Sequence, residues 1–185
     1  MSGLPSHLPL TALSIPGTHN SACHFAALPS VRCQAVPVAA QLAGGVRFLD
    51  VRVAARASAS PGRGNHSSKA DGDDADDLVL VHGAFPVALG GRSTLGEVVL
   101  EPVRAFLEER PGECVVLSVK REGMGQASDE VLSEMLMRCY VGRDKGRWWV
   151  EDRIPNLGEA RGKILLMRRF KGHRGGWGID AEHWA

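Results

Sequence analysis

Two histidines, one aspartate and four cationic side chains occupy comparable places in this sequence, at the ends of short apolar runs. His19, followed by Asn20, comes at the end of LSIPGTHN. Asp50 and Arg52 alternate in FLDVR, so both point to one side of a strand. His82 and Gly83 end LVLVHG, Lys120 ends VVLSVK ahead of Arg121 and Glu122, and Arg168 and Arg169 end ILLMRR. An imidazole, with a pKa of about 6.5, can both take and return a proton near working pH. A guanidinium stays charged and offers a fork of donors to an oxyanion. Together these residue types predict acid–base chemistry on an anionic substrate. Each also has an ordinary reading: a structural histidine, an Asp50–Arg52 ion pair on one strand face, a solvated strand end at Lys120, a surface basic cluster at Arg168–Arg169. Their recurrence at one topological place favours the chemical reading, because parallel α/β enzymes work at the carboxyl ends of their strands.

The elements that must hold these side chains follow from the apolar pattern. Five runs read as strands: LTALSIPG, VRFLDVRV, LVLVHG, CVVLSVKRE and KILLMRRF. Most are rich in Val, Leu and Ile, as strands buried on both faces are. The first strand is expected to end at Leu13–Ile15, where Pro16 and Gly17 break it. Residues 36–44 read as a short helix closed by Gly44 and Gly45. In STLGEVVLEPVRAFLEERPGE, Leu95, Val98, Val99, Val103, Phe106 and Leu107 recur at helical spacing, with Ser93 or Thr94 as the cap. In SDEVLSEMLMRCY, Val131, Leu132, Met135, Leu136 and Cys139 are expected to face inward. Strand followed by helix, repeated, predicts a parallel α/β fold. Residues 58–77, rich in Gly, Ser and Asp, read as a flexible surface insertion.

Composition narrows the classes. The 185 residues suit one domain or a large part of one, and 44% hydrophobic content is enough to build a core. Twenty-two basic against 21 acidic residues give a net charge of +1, with no basic excess to favour nucleic acid as a partner. No run approaches the roughly 20 apolar residues of a membrane span, and no secretory signal is read at the start. A cytoplasmic or peripheral membrane location is therefore favoured. The four cysteines form no CxxC pair, so the pattern predicts no zinc motif.

The ordered set LSIPGTHNS, QLAGGVRFLDVRV, LVLVHG, FLEERPGECVVLSVKRE and RGKILLMRRF resembles the X region of phosphatidylinositol-specific phospholipases C, most closely the small bacterial and fungal enzymes. The likeness covers nearly the whole chain. It implies a distorted (β/α) barrel of the TIM type, of which this chain supplies roughly the first five strands. It also implies cleavage of an inositol phospholipid, met at a membrane surface, to diacylglycerol and a cyclic inositol phosphate. His19 then matches the general base and His82 the general acid. Arg52 matches the arginine that contacts the phosphate, Asp50 the acid beside it, and Lys120 a substrate-binding lysine. Arg169, or alternatively Arg168, matches an inositol-contacting arginine.

Two departures bear on this. Asn20 stands where the metal-free enzymes of the family carry Asp and where the calcium-dependent ones carry an Asn ligand. Arg52, however, stands where a calcium enzyme needs an acid, and a guanidinium there repels Ca²⁺. No metal is therefore expected, with Ca²⁺ as the alternative. The acid that orients the base histidine in the family comes from a late strand outside this chain, so His19 is expected to lack that partner. The alternative function is an inactive or truncated module of the same fold that binds headgroups or another protein. A glycerophosphodiesterase is disfavoured, because the strand ends carry too few carboxylates for its metal cluster.

Overall fold

The structure, a computed structural model, describes residues 1–25, 30–55, 77–88, 93–123, 127–172 and 176–184. The insertion expected at 58–77 lies, but for Asp77, outside the described residues. Three long strands form the centre of one sheet: β2 (Phe48–Ala55), β5 (Val115–Arg121) and β7 (Ile164–Arg169). They run parallel in the order β2–β5–β7. β1 (Gly17–Thr18) pairs with the start of β2, and β3 (Leu78–His82) pairs with its end. A two-residue β4 (Phe85–Pro86) borders β3, while β6 (Trp148–Trp149) and β8 (Ile179–Asp180) share the far edge of β7. The described strands therefore form an open sheet.

Two strand expectations are corrected. The first strand lies at Gly17–Thr18, after Pro16 rather than before it, and Leu10–Ala12 form a single 3₁₀ turn. A Cβ on Gly17 would sit 3.1 Å from that of Phe48, so the close approach to β2 suits glycine. β3 runs antiparallel to β2, not parallel. Its carboxyl end, and His82 with it, is thereby carried back along β2 toward the middle of that strand. Gly83, at φ +60°, then opens a two-residue hairpin into β4, a conformation that glycine adopts without strain.

The helices follow the apolar pattern closely. α1 (Val38–Ala43), α2 (Glu101–Glu109), α3 (Asp129–Leu136) and α4 (Leu157–Ala160) lie between strands. A π-turn at Gly96–Leu100 leads into α2, where Pro102 removes one backbone donor. The Thr94 hydroxyl caps this turn by accepting from Glu97 N–H at 3.2 Å. Leu95, Val99, Val103, Phe106 and Leu107 are buried as expected. Val131 is not: it is 39% exposed, at the margin of the inward face of α3.

Side-chain alternation along the three long strands sorts the sheet into two faces. Leu49, Val51, Val53, Leu117, Val119, Ile164 and Leu166 join the helices in the larger core. Val116 and Leu165 join a smaller cluster on the opposite face, with Phe48 and Met167 packed against it. Asp50, Arg52, Ser118 and Lys120 share the parity of that second face.

Candidate functional site

Register brings the polar ends of the strands together. Arg52 stands opposite Lys120, and Lys120 opposite Arg169, so three cations form one row across β2, β5 and β7. Adjacent like charges on one sheet face repel unless an anion joins them. The row borders a cavity of about 360 Å³ whose lining also includes His19, Asp50, Phe48 and Trp184. Three cations there face one carboxylate, so the cavity favours an anionic guest.

Asp50 is the hub. Its side chain is 8% exposed, and its Oδ1 accepts from Arg169 Nη1 at 3.1 Å. Its Oδ2 lies 3.1 Å from His19 Nδ1 and accepts the Asn20 backbone N–H at 3.2 Å. The expectation that His19 lacks an orienting acid is thus corrected: Asp50 stands in that place. A carboxylate at Nδ1 makes Nδ1 the protonated nitrogen and leaves Nε2 as the accepting nitrogen. Nε2 lies 3.0 Å from Asn20 Nδ2 and 3.5 Å from Arg52 Nη2. Asn20 holds φ +44°, a left-handed conformation that Asn tolerates better than most residues. This turn directs the next N–H, that of Ser21, to the Asp50 carbonyl at 2.7 Å.

Arg52 is held from behind. Its Nη1 donates to both Glu122 oxygens, at 2.9 and 3.1 Å, and its Nε is buried without a partner among the described residues. Glu122 also accepts from Gly83 N–H at 2.9 Å and so ties the His82 hairpin to the arginine. Burial pushes the Glu122 pKa up, but the Gly83 N–H and the Arg52 guanidinium outweigh it and hold the carboxyl below its usual range. His82 stands outside the lining of the cavity, yet its ring nitrogen lies within 4.8 Å of that of His19. Cys33 Sγ completes a close trio with them, 3.9 Å from His82 Nε2.

The structure separates the two arginines at 168 and 169. Arg169 belongs to the site, and its guanidinium lies 5.0 Å from the Trp184 ring. Arg168, one residue earlier, points to the helix-covered side, where it donates to the Trp177 carbonyl and pairs with Asp180 at 3.3 Å. Strand alternation decides between them, and the alternative placement of Arg168 in the site is set aside. Glu122, Gln34 and Trp184 contact or line the site and were not among the expected residues; Cys33 stands outside the cavity lining. Glu122 carried a legible signal, since it follows Lys120 by two residues just past the end of β5. Gln34, which donates to the His19 carbonyl at 2.6 Å, and Cys33 lie in a loop without one.

Comparison with known proteins gives one consistent family. The model of the phosphatidylinositol-specific phospholipase C X domain matches residues 6–170. A 1-phosphatidylinositol phosphodiesterase of Listeria monocytogenes is 29% identical over 175 residues, which are 90% of this chain and 47% of the relative. The solved phosphatidylinositol-specific phospholipase C from Listeria monocytogenes superposes with a TM-score of 0.67 at 25% identity, over 97% of this chain and 61% of that one. A fluorinated variant of the Staphylococcus aureus enzyme gives a TM-score of 0.75 at 23% identity, over 97% and 55%. The chain thus spans about half the length of the curated relative. The fold of these neighbours is a TIM-type barrel, and the open sheet is a distorted part of one.

Proposed function

Because the chain belongs to the phosphatidylinositol-specific phospholipase C X-domain family, we propose that it cleaves the phosphodiester of phosphatidylinositol by general acid–base catalysis between His19 and His82. His19 Nε2, with Nδ1–H given to Asp50, takes the proton of the inositol 2-hydroxyl. That oxygen attacks phosphorus and closes a five-membered cyclic phosphate. The bond to the diacylglycerol oxygen breaks, and His82 supplies the proton the departing alkoxide needs. Charge gathers on the non-bridging oxygens as the bond forms, and the Arg52 guanidinium, which borders the cavity, supplies the positive charge that meets it. Lys120 and Arg169 hold the phosphate and inositol, and Asn20 steadies His19 through their 3.0 Å contact. The scheme is proposed without a metal; what supports this is the resemblance, which sets the Arg52 guanidinium where the calcium-dependent enzymes need an acid.

The observation that carries this reading is the cross-strand row of Arg52, Lys120 and Arg169 beside a carboxylate-backed imidazole. The substrate is met at a membrane surface, and among the described residues no helix is long and apolar enough to cross one. The test is release of water-soluble inositol phosphate from phosphatidylinositol vesicles by the wild-type chain and by His19→Ala. The proposal expects release by the first and a loss of about 10²–10⁴ in rate by the second. Equal rates would remove His19 from the chemistry. The three-cation row supports one other reading, a headgroup-binding module without turnover. Vesicle binding that needs Arg52 and Arg169 but yields no product would select it.

A further inference from the structure

We propose that His19, Cys33 and His82 form a binding site for a soft divalent cation, zinc being the best fit, and that occupancy shuts the site off. A ring nitrogen of His19, Sγ of Cys33 and a ring nitrogen of His82 all lie within 4.8 Å of one another. Tetrahedral zinc, with bonds of about 2.3 Å to sulfur and about 2.0–2.1 Å to nitrogen, sets its ligand atoms roughly 3.3–3.6 Å apart. The Cys33 Sγ–His82 Nε2 separation is already 3.9 Å. Contraction of the remaining separations by at most about 1.5 Å would close the trio around one ion.

Three further observations suit a metal. His19 holds its other nitrogen 3.1 Å from Asp50, the carboxylate–histidine arrangement that fixes a ligating imidazole. Cys33 is a free, exposed thiol, so zinc can reach it. Asn20 is 1% exposed, and its Oδ1 is buried without a partner among the described residues. Its Nδ2 lies 3.0 Å from His19 Nε2 and 3.6 Å from Cys33 Sγ. A half-turn of this amide would present oxygen to the same space as a fourth donor; water or a phosphate oxygen could serve equally. Arg52 Nη2, 3.5 Å from His19 Nε2, opposes the cation, which makes the site one of moderate affinity. The Cys33 thiolate, whose proton leaves to solvent on binding, offsets part of that repulsion. Cys23, beside Cys33, is no ligand: burial first, and then the neighbouring Cys33, push its thiol up to about 12.

The shut-off rests on the proposed roles of the two histidines, since one ion would occupy both. The binding site itself does not rest on them, and the experiment separates the two. Cobalt(II) titrated into the full chain, in a non-thiol reductant, is expected to give a thiolate-to-metal charge-transfer band and tetrahedral visible bands. Zinc should abolish both. Cys33→Ser should lose the charge-transfer band and keep wild-type lipid cleavage in metal-free buffer. It should also need about 10–100-fold more zinc for half-inhibition. A wild-type spectrum without the band, a band that persists in Cys33→Ser, or equal zinc sensitivity of the two proteins would overturn the proposal. A chain that shows the bands but cleaves no lipid would leave the metal site standing and remove the catalytic reading alone.

Discussion

Two arginine–glutamate bridges close the two ends of the β2–β5 ladder, and they differ in what they leave unused. At the amino end, Arg47 Nε donates to Glu113 at 2.9 Å, Nη1 donates to the Leu42 and Val46 carbonyls, and the guanidinium lies 4.3 Å from the Phe106 ring. Glu113 is equally occupied by the terminal ammonium of Met1 at 2.6 Å and by the Ser2 N–H and hydroxyl. At the carboxyl end, Arg52 is fixed by Glu122 through one nitrogen, while its Nε is unpartnered among the described residues and the residue borders a cavity. A saturated bridge holds the sheet; an unsaturated one keeps donors for a guest. The same two residue types therefore carry different duties at opposite ends of one strand pair, in keeping with barrels that separate stability from chemistry between their faces.

The largest effect is expected at the open bridge. Arg52→Lys keeps the charge but removes the planar fork, and should lower kcat by about 10²–10³ with a much smaller change in KM. A folded mutant with near-normal turnover would reduce Arg52 to the partner of an ordinary ion pair. At the closed bridge the pattern should invert. Glu113→Gln leaves buried cations less well paired and should cost about 3 kcal/mol, or roughly 6–12 °C in Tm, with kcat of the folded protein unchanged. A loss of kcat as large as that of Arg52→Lys would erase the contrast.

Acid should act at the closed bridge too. Burial raises the Glu113 pKa, but hydrogen bonds from the Met1 ammonium, Ser2 and Arg47 outweigh it and hold the carboxyl at about 2, against 4.5 unperturbed. A folded pKa below the unfolded one stabilises the native state above the unfolded value. That stability should fade as pH drops from about 4.5 toward 2. Urea melts of wild type and Glu113→Gln should converge across this window; a constant gap would contradict the assignment. The smallest effect is expected from a chelator: EGTA in metal-free buffer should leave lipid cleavage unchanged, whereas loss restored by Ca²⁺ would make Asn20 a better guide than Arg52.

Much of this arrangement was legible in the sequence, for physical reasons that also mark where legibility stopped. The long strands β2, β5 and β7 are apolar over most of their length, because clusters cover one face wholly and part of the other, and Asp50 and Arg52 stand out against that background. Alternation put those two on one side, but choosing Arg169 over Arg168 required the register with Lys120. The reversed direction of β3 had no local signal, because the chain between β2 and β3 carries no periodicity. β4, β6 and β8 are two residues long, too short for any pattern. The Asp50–His19 contact joins residues about thirty positions apart, and only the β1–β2 pairing brings them together.

The account's central claim, that His19 and His82 divide the proton transfers, is tested most directly by changing the leaving group. A phosphatidylinositol analogue with sulfur in place of the bridging diacylglycerol oxygen expels a thiolate, which needs no protonation. Steady-state cleavage of both substrates should show His82→Ala strongly impaired on the oxygen ester and largely recovered on the sulfur analogue. His19→Ala should remain impaired on both, since the attacking hydroxyl still needs its base. Equal impairment of His82→Ala on the two substrates would contradict the account.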